Sequence, residues 1–306
     1  MIGTRDWRNW ALLASLGIIW GGSFTAVGVA VQDLPPLTVA FMRIAIGAAI
    51  LTPLAYAYGH GLPRDRRVWA FALIAAAAAN AVPFVLLAWA QSSVSSGLAA
   101  VFMAALPLIV LPLAHFLVPG EGLTWAKAIG FLIGFAGVVW LIDPRVVLEL
   151  GAGDGWVLLA QLACLGAATG YAVGSVATKL APPCHPFSFG ALSLLLAAAM
   201  LGPVTFALEA PFALAWSSRS LVAVGALGVF PTALAMVLLL LVLRRTGPSF
   251  LSLVNYQVPI WGMVFGVLLL GEQVPERAVP ALMLILLGVA ISQGALRGVL
   301  GGARNA

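Results

Sequence analysis

Three polar side chains stand in a row, Asn255, Tyr256 and Gln257, inside the apolar run LSLVNYQVPIWGMVFGVLLLG. Two amides and a phenol offer hydrogen-bond donors and acceptors without fixed charge, which suits binding of a small polar solute. Pro259 follows and removes the helical bond to the carbonyl of Asn255. Similar pairs recur elsewhere in apolar surroundings. Trp20 and Ser23 form one. Asn80 and Phe84 lie four apart, and so on one helix face, with Pro83 between them freeing the carbonyl of Ala79. Tyr171 and Ser175 are also four apart. Arg43, in AFMRIAIGA, is a cation among apolar neighbours. It can bind a substrate carboxylate, bond helix-end carbonyls or snorkel towards Asp33. Neutral polar groups of this kind also bond neighbouring helices, at about 0.6–2 kcal/mol each, so a packing role stands beside the binding role.

Other chemistries lack their residues. Every Asp and Glu, and His60 and His185, fall in loops or at the ends of apolar runs; His115 is near one such end. There is no HExxH motif, no spaced set of metal ligands and no buried carboxylate pair. An enzyme, a metal site and a bound cofactor are therefore not expected. Ion-coupled carriers usually place Asp, Glu or His in the path, so a facilitator or weakly coupled exporter driven by its substrate's own gradient is expected. Two cysteines, Cys164 and Cys184, imply no disulfide framework.

The elements that must position these groups follow from composition. Of 306 residues, 62% are hydrophobic and 8% charged, with mean hydropathy +1.09. A soluble domain carries about 25% charged residues. The chain is expected to be an all-α integral membrane protein in a lipid bilayer. A net charge of +5 does not indicate nucleic acid, because the basic residues are spread thinly between apolar runs. Ten segments are long enough to span: 10–30, 37–58, 68–90, 94–118, 124–142, 155–179, 186–208, 219–243, 248–270 and 276–297. Alternating sides, eleven Lys and Arg fall on one side, three on the other, and Arg43 within a span. The positive-inside rule then places both termini in the cytoplasm. MIGTRDWRNW leads straight into a full-length span without a small-residue cleavage site, so it reads as the first membrane helix.

The chain also repeats. Gly17 and Gly21 match Gly166 and Gly170, Pro107 matches Pro259, and Gly120–Glu121 matches Gly271–Glu272. Residues 1–142 and 155–306 read as two five-helix repeats joined by a connecting loop, 143–154. Five is odd, so the second repeat is inverted. Inverted repeats characterise alternating-access carriers, whose site lies near the midplane between the halves. Pro83, Pro107 and Pro259 are the expected kinks. The Gly-xxx-Gly series at Gly17, Gly130 and Gly166 allows close helix contact, within a monomer or in a dimer.

LGIIWGGSF in the first span, AFMRIAIGA in the second, and the GE pair closing spans four and nine resemble the drug/metabolite transporter superfamily. Within it the chain is most similar to EamA-type exporters of the bacterial inner membrane. The resemblance implies a ten-helix carrier of a small-molecule substrate, most like the exporters of amino acids, including aromatic ones. Trp20, Phe84, Tyr171 and Tyr256 would form an aromatic wall, and Asn80, Asn255 and Gln257 would bond the amino and carboxylate groups. The second half departs from the first: Thr169 stands where Trp20 would be matched, and nothing matches Arg43. Sugar-phosphate or nucleotide-linked cargo, drug-like compounds and a channel-like facilitator remain alternatives. A phosphate dianion would call for two or more cations.

Overall fold

The computed structural model describes residues 6–58, 61–142 and 155–294; the expected connecting loop 143–154 lies outside them. The described residues form ten long helices and a short 3-10 turn at Pro211–Ala213, and there is no strand among them. Nine are long and apolar enough to cross a membrane: α1 (Trp7–Ala30), α2 (Pro36–Ala57), α3 (Arg66–Ala90), α4 (Ser96–Leu117), α5 (Trp125–Ile142), α6 (Gly155–Leu180), α7 (Pro186–Leu208), α8 (Ser218–Thr246) and α9 (Pro248–Leu270). The last, α10 (Ala278–Ser292), has 15 residues. It is shorter than the expected span 276–297. At 1.5 Å per residue it covers about 22 Å, against roughly 30 Å of hydrocarbon. It starts after the irregular stretch 271–275 and ends where Gly294 takes a positive φ of 75°.

Local sequence explains most boundaries. Asp6 and Asp65 accept the backbone N–H two residues on, capping α1 and α3. Ser95 and Ser217 cap α4 and α8 through the N–H three residues on. Pro36 and Pro186 occupy the first turns of α2 and α7, where no N–H is needed.

The helices pack in a pattern that exchanges with itself. The contact of α1 with α9 has its counterpart in α6 with α4. Likewise α1 with α8 answers α6 with α3, while α2 packs on α7 and α5 on α10. Moving every helix five places along the chain reproduces this set. Leu13, Leu16, Ile44, Leu51 and Phe102 are fully buried between helices. Large apolar residues such as Leu132, Val222 and Leu268 are mostly exposed on the outside, as a bundle solvated by lipid requires.

The tightest helix pairing is α5 against α10. A Cβ added at Gly130 would lie 2.4 Å from the Gly288 carbonyl oxygen, and one at Gly288 2.4 Å from that of Gly130. Only glycine admits backbones this close. Gly17 and Gly21 meet α9, and Gly170 and Gly174 meet α3, so these stripes serve contacts within one chain.

Two helices widen locally. In α3, Ala76–Ala81 form a π-helical stretch in which Val82 N–H reaches back to Ala77 O, directly before Pro83. In α8 the same happens over Gly228–Leu234, with Pro231 inside it. Proline withholds a donor, and the ladder slips by one residue to recover bonds. Two others break. α4 is interrupted at Ala104–Ala105, just before Pro107, and α9 at Ser252–Leu253. Pro259 itself lies inside the continuous helix Val254–Leu270, so the break in α9 falls almost two turns earlier than the expected kink. There Asn255 and Tyr256 N–H bond three residues back, to Ser252 and Leu253, tightening the chain before the proline is reached.

Candidate functional site

The two widened turns face a common centre. Arg43 enters it from α2, seven residues from the start of the helix, or about 10 Å along the axis. Only 7% of its surface is exposed. Its guanidinium carbon lies 3.8 Å above the centroid of the Phe84 ring on α3. Its Nε donates to the Thr232 hydroxyl of the widened turn in α8, at 3.1 Å. That hydroxyl in turn donates to Leu227 O at 2.8 Å, which orients its lone pairs towards the arginine. Gly47 makes room for this, since a Cβ there would lie 2.4 Å from Thr232 Cγ2. Phe84 and Tyr171 of α6 sit with ring centroids 6.3 Å apart at 59°. Four helices, α2, α3, α6 and α8, thus supply one cluster.

What the cluster lacks is an anion. Among the described residues the ion pairs are those of Glu121 with Lys127 and Lys179, far from Arg43 along the bundle. The two terminal nitrogens of Arg43 and the Tyr171 hydroxyl make no hydrogen bond to the described protein. Asp33, the carboxylate towards which Arg43 was expected to be able to snorkel, is occupied by the Ser217 and Ser220 hydroxyls.

The remaining residues fall into two groups. Trp20 belongs with the cluster: its Nε1 donates to Pro231 O, the residue before Thr232, at 3.2 Å. Asn80 stands one turn from Phe84, and its Nδ2 donates to Ser193 Oγ of α7 at 3.0 Å and to Ala75 O at 3.2 Å. Ser23 and Ser175 turn back onto their own helices, donating to Trp20 O at 2.6 Å and Ala172 O at 2.9 Å. The α9 triplet splits three ways. Tyr256 donates to Gln293 Oε1 at the end of α10, at 3.2 Å. Gln257 lies against Gly17 of α1, whose added Cβ would be 2.9 Å from Gln257 Cβ. Asn255 is half-buried, and its side chain makes no hydrogen bond to the described protein. Thr232, Ser193 and Gln293 are partners that carry no signal in the sequence, being ordinary residues within or at the end of apolar runs.

The ends of the bundle differ. At the end of the bundle where α1 finishes and α2 starts, three carboxylates each grip the start of a neighbouring helix. Glu272, after α9, accepts Ser96 N–H at 2.8 Å and Gly97 N–H at 2.9 Å of α4. Glu209, closing α7, accepts Leu37 N–H at 3.1 Å, Thr38 N–H at 2.6 Å and the Thr38 hydroxyl at 2.8 Å of α2. Asp33, after α1, accepts the two serine hydroxyls at the start of α8. These bonds hold the Asp33 carboxyl below its ordinary range. A carboxylate at a helix N-terminus also meets the positive end of the helix dipole. At the other end Glu121, matched to Glu272 in the repeat, instead accepts Lys179 Nζ at 2.7 Å and Lys127 Nζ at 3.3 Å. The GE pairs therefore do different work in the two halves.

Comparison with known proteins assigns the architecture. The EamA-like transporter family matches residues 8–142 and 155–293. The chain belongs to this family. The EamA-like chain is 26% identical over 281 residues to the uncharacterized inner membrane transporter YedA of Escherichia coli (strain K12), covering 91% of this chain and 88% of that one. It is 24% identical over 278 residues to the uncharacterized transporter YoaV of Bacillus subtilis (strain 168), covering 90% and 94%. It is 25% identical over 285 residues to an uncharacterized transporter of Archaeoglobus fulgidus, covering 93% and 98%. One solved crystal structure shares the fold with a TM-score of 0.64 at 22% identity, covering 93% of this chain and 97% of that chain. This EamA-like protein is a multi-pass membrane transporter.

Proposed function

We propose that the protein exports small metabolites, most of all amino acids including aromatic ones, by alternating access. The halves are 1–142 and 155–306, and the substrate site is the cluster of Trp20, Arg43, Phe84 and Tyr171. One observation carries the reading: a buried guanidinium without an ion-pair partner, walled by aromatic rings, is supplied by α2 and α3 of one half and α6 and α8 of the other. A site shared in this way changes its exposure when one half rocks on the other. The exchange of helix contacts under a five-place shift supports the inverted repeat. The charge asymmetry in sequence supports cytoplasmic termini. The three carboxylate grips then close the outer end, and the conformation is one closed to the outside.

The test is counterflow in proteoliposomes loaded with an amino-acid panel. Saturable exchange of phenylalanine, tryptophan or another member is expected, and Phe84→Ala should reduce it strongly. Flux that rises linearly with concentration, or no flux for any member, would reject the carrier reading. Asn255→Ala and Tyr256→Ala separate the two groups of residues. If these alone abolish exchange while Phe84→Ala does not, the site lies on α9 instead.

A further inference from the structure

The charge of the site has a consequence for its ligand. Arg43 is 93% removed from solvent by its 7% exposure, in a segment that crosses the membrane. A buried arginine is costly unless an anion or a set of acceptors meets it. Here Thr232 takes Nε, and the Phe84 ring covers one face of the plane. The paired terminal nitrogens are left over. Because Nε and the ring face are both engaged, the guanidinium is held in one orientation, and its free edge is a fork of parallel donors. Such a fork matches a carboxylate with two bonds. The Tyr171 hydroxyl, also unbonded, belongs to the ring adjoining Phe84 and is a further donor of the cluster.

We propose that this site takes a monoanionic carboxylate carrying an apolar or aryl group, and that an α-amino group is not part of what it recognises. The inference rests on the carrier reading alone and departs from its amino-acid cargo, ranking aryl carboxylates without the amino group above the amino acids. One fixed positive charge balances one negative charge. A phosphate dianion would leave a charge uncompensated in a low-dielectric site. A zwitterion would bring its ammonium within a few ångströms of the guanidinium. No carboxylate among the described residues stands at that depth to offset the repulsion. Phe84 and Tyr171 supply the apolar surface beside the carboxylate fork. Loss of the amino group thus removes a repulsion. Outward movement of a monoanion also runs down an inside-negative membrane potential. This gives a driving force that needs no acid within the spans to carry a proton or sodium ion.

Three probes of equal ring and similar length separate the contributions: 3-phenylpropionate, phenylalanine, and phenethylamine. They differ by deletion of the amino or the carboxylate group. Binding is read by titration calorimetry on the full-length protein in nanodiscs at neutral pH. The expected order is 3-phenylpropionate tightest, phenylalanine weaker and phenethylamine undetectable. Arg43→Gln should weaken 3-phenylpropionate at least tenfold, and Arg43→Lys should restore part of it. If Arg43→Gln does not fold, the wild-type order and Arg43→Lys still decide. The proposal is overturned if 3-phenylpropionate does not bind, if phenethylamine matches it, or if Arg43→Gln binds it unchanged. Counterflow with the same probes is scored separately. Binding in the expected order without saturable exchange would reject the carrier reading and leave the carboxylate site standing. Exchange without carboxylate preference would do the reverse.

Discussion

Arg43 and Phe84, on adjacent helices, are stacked with the guanidinium carbon 3.8 Å above the ring centroid. A desolvated cation–π contact is worth about 2 kcal/mol, more than an exposed one, because no water competes for the charge. A double-mutant cycle with Arg43→Met and Phe84→Leu should therefore show a coupling of about 1–2 kcal/mol in unfolding stability. It is read by SDS titration of the reconstituted protein. Additive single effects would mean that the two side chains are neighbours without mutual stabilisation.

Thr232 holds the other edge of the arginine. Thr232→Val keeps the shape and removes the acceptor, leaving Arg43 Nε unpaired in a buried site. The expected cost is about 1–3 kcal/mol. Thr232→Ser keeps the hydroxyl and should retain most of that bond. The pair of variants distinguishes loss of an acceptor from loss of volume, since a volume effect would make serine the worse of the two.

The glycine contacts give a prediction of opposite signs. Gly130→Ala would force a methyl against the Gly288 carbonyl. It should destabilise the protein by about 1–3 kcal/mol through overpacking of α5 on α10. Gly225, in α8, has nothing within 4 Å of where its Cβ would stand. Gly225→Ala should instead stabilise by about 0.5–1 kcal/mol through helix propensity. Thermal unfolding of both variants under one condition provides the check, and equal signs would contradict the packing described.

The lysine-bound end of the bundle should respond to acid. Hydrogen bonds and charge from Lys179 and then Lys127 hold the Glu121 carboxyl below its ordinary 4.5. A lowered folded-state value means that the contribution is present above 4.5 and lost as pH falls through the lower value of the folded protein. Wild type should be more stable than Glu121→Gln at neutral pH. That gap should close as the solution is acidified below the ordinary carboxylate range. A gap that stays constant with pH would show that the ion pairs contribute nothing of their own. Glu272→Gln should behave differently. One of its two acceptor atoms becomes a donor facing the N–H groups of Ser96 and Gly97, so the start of α4 loosens at neutral pH.

Much of the architecture is legible in the chain itself because membrane insertion is a local constraint. Each apolar run of about 20 residues must become a helix to satisfy its own backbone. This sets nine of the spans, while the repeated GE and proline and the match to the EamA-like transporter family are carried by the residue pattern itself. Arg43, Tyr171 and Trp20 are conspicuous for the same reason: charged groups and polar-tipped aromatics are out of place in the middle of apolar runs.

Tertiary structure decided what those groups meet. Adjacent helical residues diverge by about 100°, so Asn255, Tyr256 and Gln257 cannot share one partner. Which neighbours they meet depends on α1 and α10, packed from far along the chain. Thr232 is an unremarkable residue until α8 widens and turns its hydroxyl towards an arginine 189 positions away. That Arg43 lacks an ion-pair partner is likewise invisible in one dimension. A salt bridge is a distance between segments, and every carboxylate that the chain offers among the described residues is placed elsewhere by the fold.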